Sequence, residues 1–133
     1  MAGTHARSAP LATGTLIVGD DADLLEQLRD YLSHAGVEAR ASRRLNDAWR
    51  GGSAEAVVVL FPDDFDAGEV TDGLGLLLAR SPCPRVIVIT AGPRLFEPLI
   101  ECFSARDSVV ILPKPVWGWA ILDLLRSWQP APR

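Results

Sequence analysis

The 133-residue sequence has little of what marks several common protein classes. It contains two cysteines, Cys83 and Cys102, and no CxxC pair, so it predicts neither a disulfide framework nor a structural zinc site. No apolar run approaches the roughly 18 residues of a membrane span. The first residues lack the apolar segment of a secretory signal. These absences predict a reduced, cytoplasmic protein.

A basic face is also lacking. The formal net charge is −4, and nucleic-acid or anionic-membrane binding would need clustered positive charge. The length and the 48% hydrophobic content predict a single globular domain with one sizeable core. We place this domain at residues 14–129, after a disordered leader at residues 1–13 and before a loose tail at residues 130–133.

Strand-like and helix-like segments alternate along the domain. Four short apolar runs and one alternating segment predict five strands, and apolar residues at helical spacing predict five helices. Gly36 and Pro62 are expected to end the first helix and the third strand, respectively. The predicted strands are residues 15–18, 37–41, 57–61, 86–90 and 109–112, and the predicted helices are residues 22–35, 45–49, 74–79, 95–103 and 116–128.

This alternation predicts an α/β fold with right-handed crossovers. Continuous apolar runs are typical of parallel strands that are buried on both faces, whereas the second segment alternates as an edge strand does. We therefore predict a flavodoxin-like, doubly wound, five-stranded parallel sheet of order 2-1-3-4-5 with helices on both faces.

Polar residues follow several of the predicted strands at one edge of that sheet. Asp20-Asp21 follow the first strand, Asp63-Asp64 the third, Thr90 ends the fourth and Lys114 follows the fifth. Paired carboxylates suit Mg²⁺, and a hydroxyl with an ammonium suits phosphoryl oxygens. The GxGxxG and GxxxxGK[ST] patterns are absent, which argues against a dinucleotide site and a P-loop.

These rim residues make the chain resemble the receiver domain of bacterial response regulators, which act in two-component and phosphorelay signal transduction. The resemblance extends over residues 14–128 and depends on Asp20-Asp21, Thr90-Ala91 and Lys114-Pro115. It implies that Asp20 and Asp21 hold Mg²⁺, a cofactor that the module does not require. It further implies that Thr90 and Lys114 contact a phosphoryl group and that the Lys114-Pro115 peptide bond is cis.

The sequence departs from the family pattern at two places. The position of the phosphoacceptor aspartate, directly after the third strand, holds Phe61, or Leu60 if the register slips by one. The aromatic switch position, three residues before the lysine, holds Ile111. Neither Phe61 nor Leu60 can accept a phosphoryl group.

Two hypotheses follow from the missing acceptor. The leading one is an atypical, phosphorylation-independent receiver that is not an enzyme and acts through a protein partner, either a histidine kinase or a downstream signalling protein. In the alternative, Asp63 or Asp64 accepts the phosphoryl group with Mg²⁺, and the domain catalyses its own phosphorylation and dephosphorylation. A two-residue shift along a strand moves a carboxylate by about 6–7 Å, which argues against that alternative. A third hypothesis is an unrelated flavodoxin-like small-ligand binder.

The last helix suggests where a partner binds. Trp117, Ile121 and Leu125, with Leu124 and Trp128, form an apolar stripe that is expected to pack on the sheet. Trp119 and Leu122 lie off this stripe. Because tryptophan is enriched in interface hot spots, both residues are predicted to form an interface, including that of a homodimer through this helix.

Overall fold

Five parallel strands form the centre of the protein in a computed structural model that describes residues 14–49, 57–79, 84–102 and 108–128. Their order is β2-β1-β3-β4-β5, which confirms the predicted flavodoxin-like fold. The edge strand β2 is partly exposed, whereas β1 and β3 are fully buried. The strands are β1 Thr15–Val18, β2 Ala39–Ser42, β3 Val57–Leu60, β4 Arg85–Thr90 and β5 Val109–Pro113.

Helices connect the strands and cover the sheet. Gly36, at φ +87°, follows the first helix and supplies the left-handed conformation that the sequence predicted for its end. The apolar core lies in two clusters, one on each face of the sheet. The helices are α1 Ala22–His34, α2 Asn46–Trp49, α3 Ala67–Leu78, α4 Glu97–Cys102 and α5 Gly118–Ser127.

The starts of α3 and α4 differ from their predicted positions. Helix α3 begins at Ala67, seven residues before the predicted start, because the Asp66 side chain accepts a hydrogen bond from the Glu69 N–H and caps the helix. Residues Pro93–Leu95 form a separate 3-10 turn, and α4 begins at Glu97. Pro98 then lies in the first turn of α4, where its missing N–H is not needed.

A glycine in α3 lets two helices approach closely. A Cβ atom built on Gly73 would overlap Cε2 of Trp49 in α2, which is impossible without movement of the indole. The sequence pattern did not reveal this contact, because the glycine faces a neighbouring helix rather than a turn. The indole and Gly73 together bring α2 against α3 on one face of the sheet.

Some predictions concern other parts of the chain. The predicted leader and tail, Cys83 and Phe103 lie outside the described residues. Within the described residues, no helix is both long and apolar enough to cross a membrane.

Candidate functional site

The candidate site lies at the edge of the sheet where the strands end. Val18, Leu60 and Thr90 are the last residues of the neighbouring strands β1, β3 and β4. Lys114 directly follows β5, which is paired with β4. This arrangement brings the predicted polar residues to one rim of the molecule. The Lys114-Pro115 peptide bond is cis, as the resemblance implied.

Three donors at this rim converge on the carboxylate of Asp63. The Thr90 hydroxyl donates to Asp63 Oδ1 over 2.5 Å, and the Ala91 N–H donates to Asp63 Oδ2 over 2.9 Å. The Lys114 ammonium lies 3.4 Å from the same Oδ2. We call the Thr90 hydroxyl, the Ala91 N–H and the Lys114 ammonium the anion cradle.

A short 3-10 turn carries Asp63 into the cradle. Residues Pro62–Asp64 form this turn directly after β3, and the Phe65 N–H donates to the Pro62 carbonyl over 3.0 Å. The expectation that a two-residue displacement removes Asp63 from the site assumed an extended chain. It is wrong, because a 3-10 segment rises only about 2.0 Å per residue and curls back.

The cradle also fixes the start of the loop after β4. The Thr90 side chain is fully buried, and its hydroxyl oxygen accepts a hydrogen bond from the Gly92 N–H over 3.0 Å. Thr90 Oγ1 therefore links the Asp63 carboxylate to the backbone of residues 91–92. A buried hydroxyl that both donates and accepts is well satisfied at this position.

Asp63 is a carboxylate at neutral pH. Burial by itself would raise its pKa, but hydrogen bonds from the Ala91 N–H and the Thr90 hydroxyl outweigh that effect, together with the charge of Lys114 and its hydrogen bond. The pKa of Asp63 consequently lies below its ordinary value. Each of these partners favours the charged form of the group.

The predicted metal pair has other partners. The Asp21 side chain caps α1 by accepting from the Asp23 and Leu24 N–H groups. Asp20 Oδ1 lies 3.2 Å from the Arg43 guanidinium, and the Asp20 N–H donates to Asp64 Oδ2 over 2.8 Å.

The carboxylates of this rim are therefore engaged with backbone and arginine groups. In the part of the chain that the structure describes, no group of three or more His, Cys, Asp or Glu residues could hold a metal ion. Mg²⁺ usually binds through one or two carboxylates and keeps several waters, and here Asp21 also caps a helix while Asp20 also pairs with a guanidinium. The role of Asp20 and Asp21 as Mg²⁺ ligands stays a prediction.

Phe61 occupies the position directly after β3. Its N–H donates to the Val18 carbonyl over 2.9 Å, which continues the pairing of β3 with β1. The ring is buried, with 3% of its surface exposed. A Cβ atom on Gly19 would lie 3.2 Å from Phe61 Cδ2, so the glycine provides room for the aromatic ring.

Ile111 occupies the aromatic switch position in β5. Ile111 is paired with Val88 in the sheet and packs, partly buried, against the apolar cluster on the face of α2 and α3. It contributes to the core at this position.

An apolar groove lies beside the cradle, between α1 and the segment that joins β5 to α5. Its cavity volume is about 620 Å³, with Phe61 and Lys114 in its lining. Three side chains that are large and exposed also line it, namely Leu24, Tyr31 and Trp117. Sequence reasoning missed this groove, because the apolar spacing of the last helix predicted that Trp117 packs on the sheet.

The last helix corrects two predictions. Trp117, expected in the buried stripe, is 67% exposed, and Leu122, expected at the surface, is only 7% exposed. The reason is that α5 begins at Gly118, so Trp117 is its non-helical N-cap residue and lies outside the helical repeat. Leu122 packs with Ile121 and Leu125 in the core. Trp119 is 59% exposed, as expected.

The fold is similar to that of several solved structures, although the sequence has no match among known families. No protein-family model matches the sequence, and no curated protein sequence does. Among solved structures, the beryllofluoride-activated DrrB receiver domain matches with a TM-score of 0.63 and 20% identity, over 86% of this chain and 94% of that chain.

Two further structures are similar at the same level of identity. The non-phosphorylated HemR receiver domain from Leptospira biflexa matches with a TM-score of 0.64 and 20% identity, over 90% of this chain and 97% of that one. An adenylate cyclase structure from Rhodopirellula baltica matches with a TM-score of 0.61 and 20% identity, over 85% and 84% of the two chains. The chain therefore has the fold of receiver domains.

Proposed function

We propose that this protein is a receiver-type signalling module that acts through a protein partner and does not depend on phosphorylation. The observation that carries the proposal is the buried Phe61 ring directly after β3, at the position where the resemblance calls for the phosphoacceptor. The ring carries no nucleophile. A module without an acceptor at this position acts through its surface and its conformation rather than through catalysis.

The hydrogen bonds that Asp63 already makes support the same proposal, whereas its closeness to Lys114 favours the alternative that follows. Its two carboxylate oxygens are bonded directly to the Thr90 hydroxyl and the Ala91 N–H, with Lys114 beside them. The resemblance assigns Thr90 and Lys114 to the phosphoryl oxygens, one step beyond the acceptor carboxylate. Asp63 thus takes the place of the phosphoryl group. Because its carboxylate already uses these donors, they are not available to a phosphoryl group attached to Asp63.

One observation favours the alternative function. Asp63 is a carboxylate beside a lysine and a threonine, and a rearrangement of the 3-10 turn by a few ångströms would let it act as acceptor. In that case the domain would catalyse its own phosphorylation and dephosphorylation with Mg²⁺. Asp64 is less suited, because it accepts from the Asp20 N–H instead.

The test compares the wild-type protein with Asp63→Asn and Asp64→Asn after incubation with Mg²⁺ and acetyl phosphate. Intact mass reports covalent transfer, and backbone amide shifts with beryllofluoride report occupation of the site. We expect no mass gain in any of the three proteins. A phosphoryl mass gain in the wild type that disappears in Asp63→Asn would establish the alternative.

We further propose that Trp119 on α5 belongs to the partner surface. Its indole is exposed, whereas Leu122 is buried and is withdrawn from the proposed interface. We expect Trp119→Ala to weaken self-association or capture of the protein partner in sedimentation experiments. Trp117→Ala is the matched control, because this second exposed indole precedes α5 and lines the groove instead. An assembly state unchanged by Trp119→Ala would count against this surface.

A further inference from the structure

The anion cradle has the composition of a binding site for a small oxyanion. A hydroxyl, a backbone N–H and an ammonium approach one point from the end of β4 and the end of β5. Such donors stabilise negative charge on oxygen atoms, and their combined effect is greater where water is partly excluded. The Thr90 side chain is fully buried and the Lys114 side chain is 36% exposed, so the cradle is partly shielded.

The chain itself fills this cradle. Both Asp63 oxygens are engaged, Oδ1 by the Thr90 hydroxyl and Oδ2 by the Ala91 N–H and Lys114. The 30% exposure of the Asp63 side chain leaves one side open to solvent. An external oxyanion would have to displace this carboxylate and would meet its negative charge.

We propose that Asp63 is a built-in anion that replaces the phosphoryl group in the cradle and holds the loop after β4 in its ligand-bound arrangement without covalent modification. The proposal rests on the phosphorylation-independent function proposed above and adds how the site is regulated. Asp63 is a positioning residue in this scheme. It acts on the loop through Thr90 and Ala91 and touches no substrate.

The loop contacts show how the carboxylate is coupled to the surface. Thr90 Oγ1 accepts from the Gly92 N–H over 3.0 Å, and the Gly92 carbonyl accepts from the Leu95 N–H over 3.1 Å. This chain of hydrogen bonds runs from Asp63 to the 3-10 turn Pro93–Leu95, and the buried Phe96 follows that turn just before α4. Loss of the carboxylate removes the first member of that chain.

The decisive experiment removes the built-in anion and offers a free one. Wild type, Asp63→Ala and the neighbouring control Asp64→Ala are each titrated with inorganic phosphate in the absence of Mg²⁺, and backbone amide shifts are followed. We expect the Ala91 and Gly92 amides of Asp63→Ala to differ from wild type before phosphate is added. We also expect phosphate to bind this variant about tenfold or more tightly than wild type, with saturable shifts at Thr90 and Ala91.

The control is the variant Asp64→Ala, and two results would contradict the proposal. Asp64→Ala is expected to resemble wild type at Ala91 and in its response to phosphate, because Asp64 contacts the Asp20 N–H and not the cradle. Unchanged Ala91 and Gly92 amides in Asp63→Ala, or equal phosphate affinities in that variant and wild type, would overturn the proposal. If Asp63→Ala does not fold, Asp63→Asn tests the charge alone through the Ala91 and Gly92 amides, since it removes the charge while its side chain still fills the cradle.

Failure here is distinguishable from failure of the proposed function. The proposed function fails if acetyl phosphate adds a phosphoryl group to the wild-type protein, which intact mass detects. The built-in anion fails if the cradle amides do not respond to removal of Asp63, whatever the mass shows. A phosphoryl gain that Asp63→Asn abolishes would overturn both, because Asp63 would then be the acceptor.

Discussion

The two halves of the site rim use their carboxylates in different ways. In the β1 half, Asp21 caps α1 and Asp20 pairs with the exposed Arg43 side chain. In the β4 half, Asp63 lies among the hydroxyl of Thr90, a backbone N–H and Lys114. Caps and surface ion pairs are common structural devices, whereas convergence of three donors on one carboxylate is an organised anion site.

The difference shows that the role of a motif residue depends on the groups that surround its side chain in the fold. Both halves carry acids within a few residues of the end of a strand, and the sequence pattern alone gives the acids of the β1 half the stronger resemblance to a known site. In the structure, the β4 half has the more specific geometry. The following predictions test this contrast, beginning with the largest effect.

Phe61 lies between the two halves, and its removal is expected to cost most. Phe61→Ala should lower the free energy of unfolding by about 3–5 kcal/mol, because it opens a cavity under a buried ring. Urea unfolding measures the loss. The exposed Leu95 gives a matched control, and Leu95→Ala should change stability by less than about 0.5 kcal/mol. Equal losses in both variants would show that Phe61 does not anchor the rim.

The charge of Asp63 should stabilise the β4 half in a pH-dependent way. A folded-state pKa below the ordinary value of 3.8 adds stability above that value, and the gain is lost as the pH falls through the folded-state pKa. Asp63→Asn should therefore cost about 1 kcal/mol at neutral pH, at the low end for charged hydrogen bonds because the group is partly exposed. The difference between the two proteins should shrink in urea unfolding below pH 3.8. A difference that is constant with pH would contradict it.

Substitutions of Asp21 in the β1 half distinguish a helix cap from a metal ligand. Asp21→Ala should lower the free energy of unfolding by about 1 kcal/mol, while Asp21→Asn should be nearly neutral, because asparagine caps a helix as well as aspartate does. Thermal unfolding without Mg²⁺ gives the comparison. A large loss in both variants would contradict the cap, and a loss that appears only with Mg²⁺ would support the metal role of this residue.

The Arg43 ion pair should contribute least. Arg43→Ala should lower the free energy of unfolding by about 0.2–1 kcal/mol, because both partners are exposed to solvent. The effect should be smaller in 1 M salt, where the Debye length is about 3 Å. Unfolding at low and high salt measures this change. An effect that is larger than that of Asp63→Asn would reverse the ranking of the two halves.

Much of the fold could be predicted because its signals are local. The buried apolar runs of β1 and β3, the alternation near β2 and Gly36 after α1 are all visible along the chain. The site was less predictable. The direction of the Asp63 side chain depends on a 3-10 turn after Pro62, and a strand-based distance estimate failed there because the backbone was no longer extended.

Two aromatic positions show the same limit at the surface. Helical spacing placed Trp117 on the buried stripe, yet the helix begins one residue later and leaves the indole exposed. Similarly, Gly73 preceded the predicted third helix, whereas in the structure it lies within α3 and admits the Trp49 ring. Both outcomes depend on exact helix starts and neighbouring helices, which periodicity does not encode.

The sequence by itself determined the five-stranded parallel architecture, its strand order and the rim to which the polar residues come, because periodicity and chain direction dictate how buried strands alternate with helices. Only the tertiary structure decided which carboxylate meets Thr90 and Lys114. That choice depends on how the segment after β3 turns, on the room that Gly19 leaves for Phe61, and on competing partners such as the N–H groups of α1 and Arg43. Hydrogen bonds and ion pairs act over a few ångströms between residues distant in sequence, so they are settled only when the chain is folded.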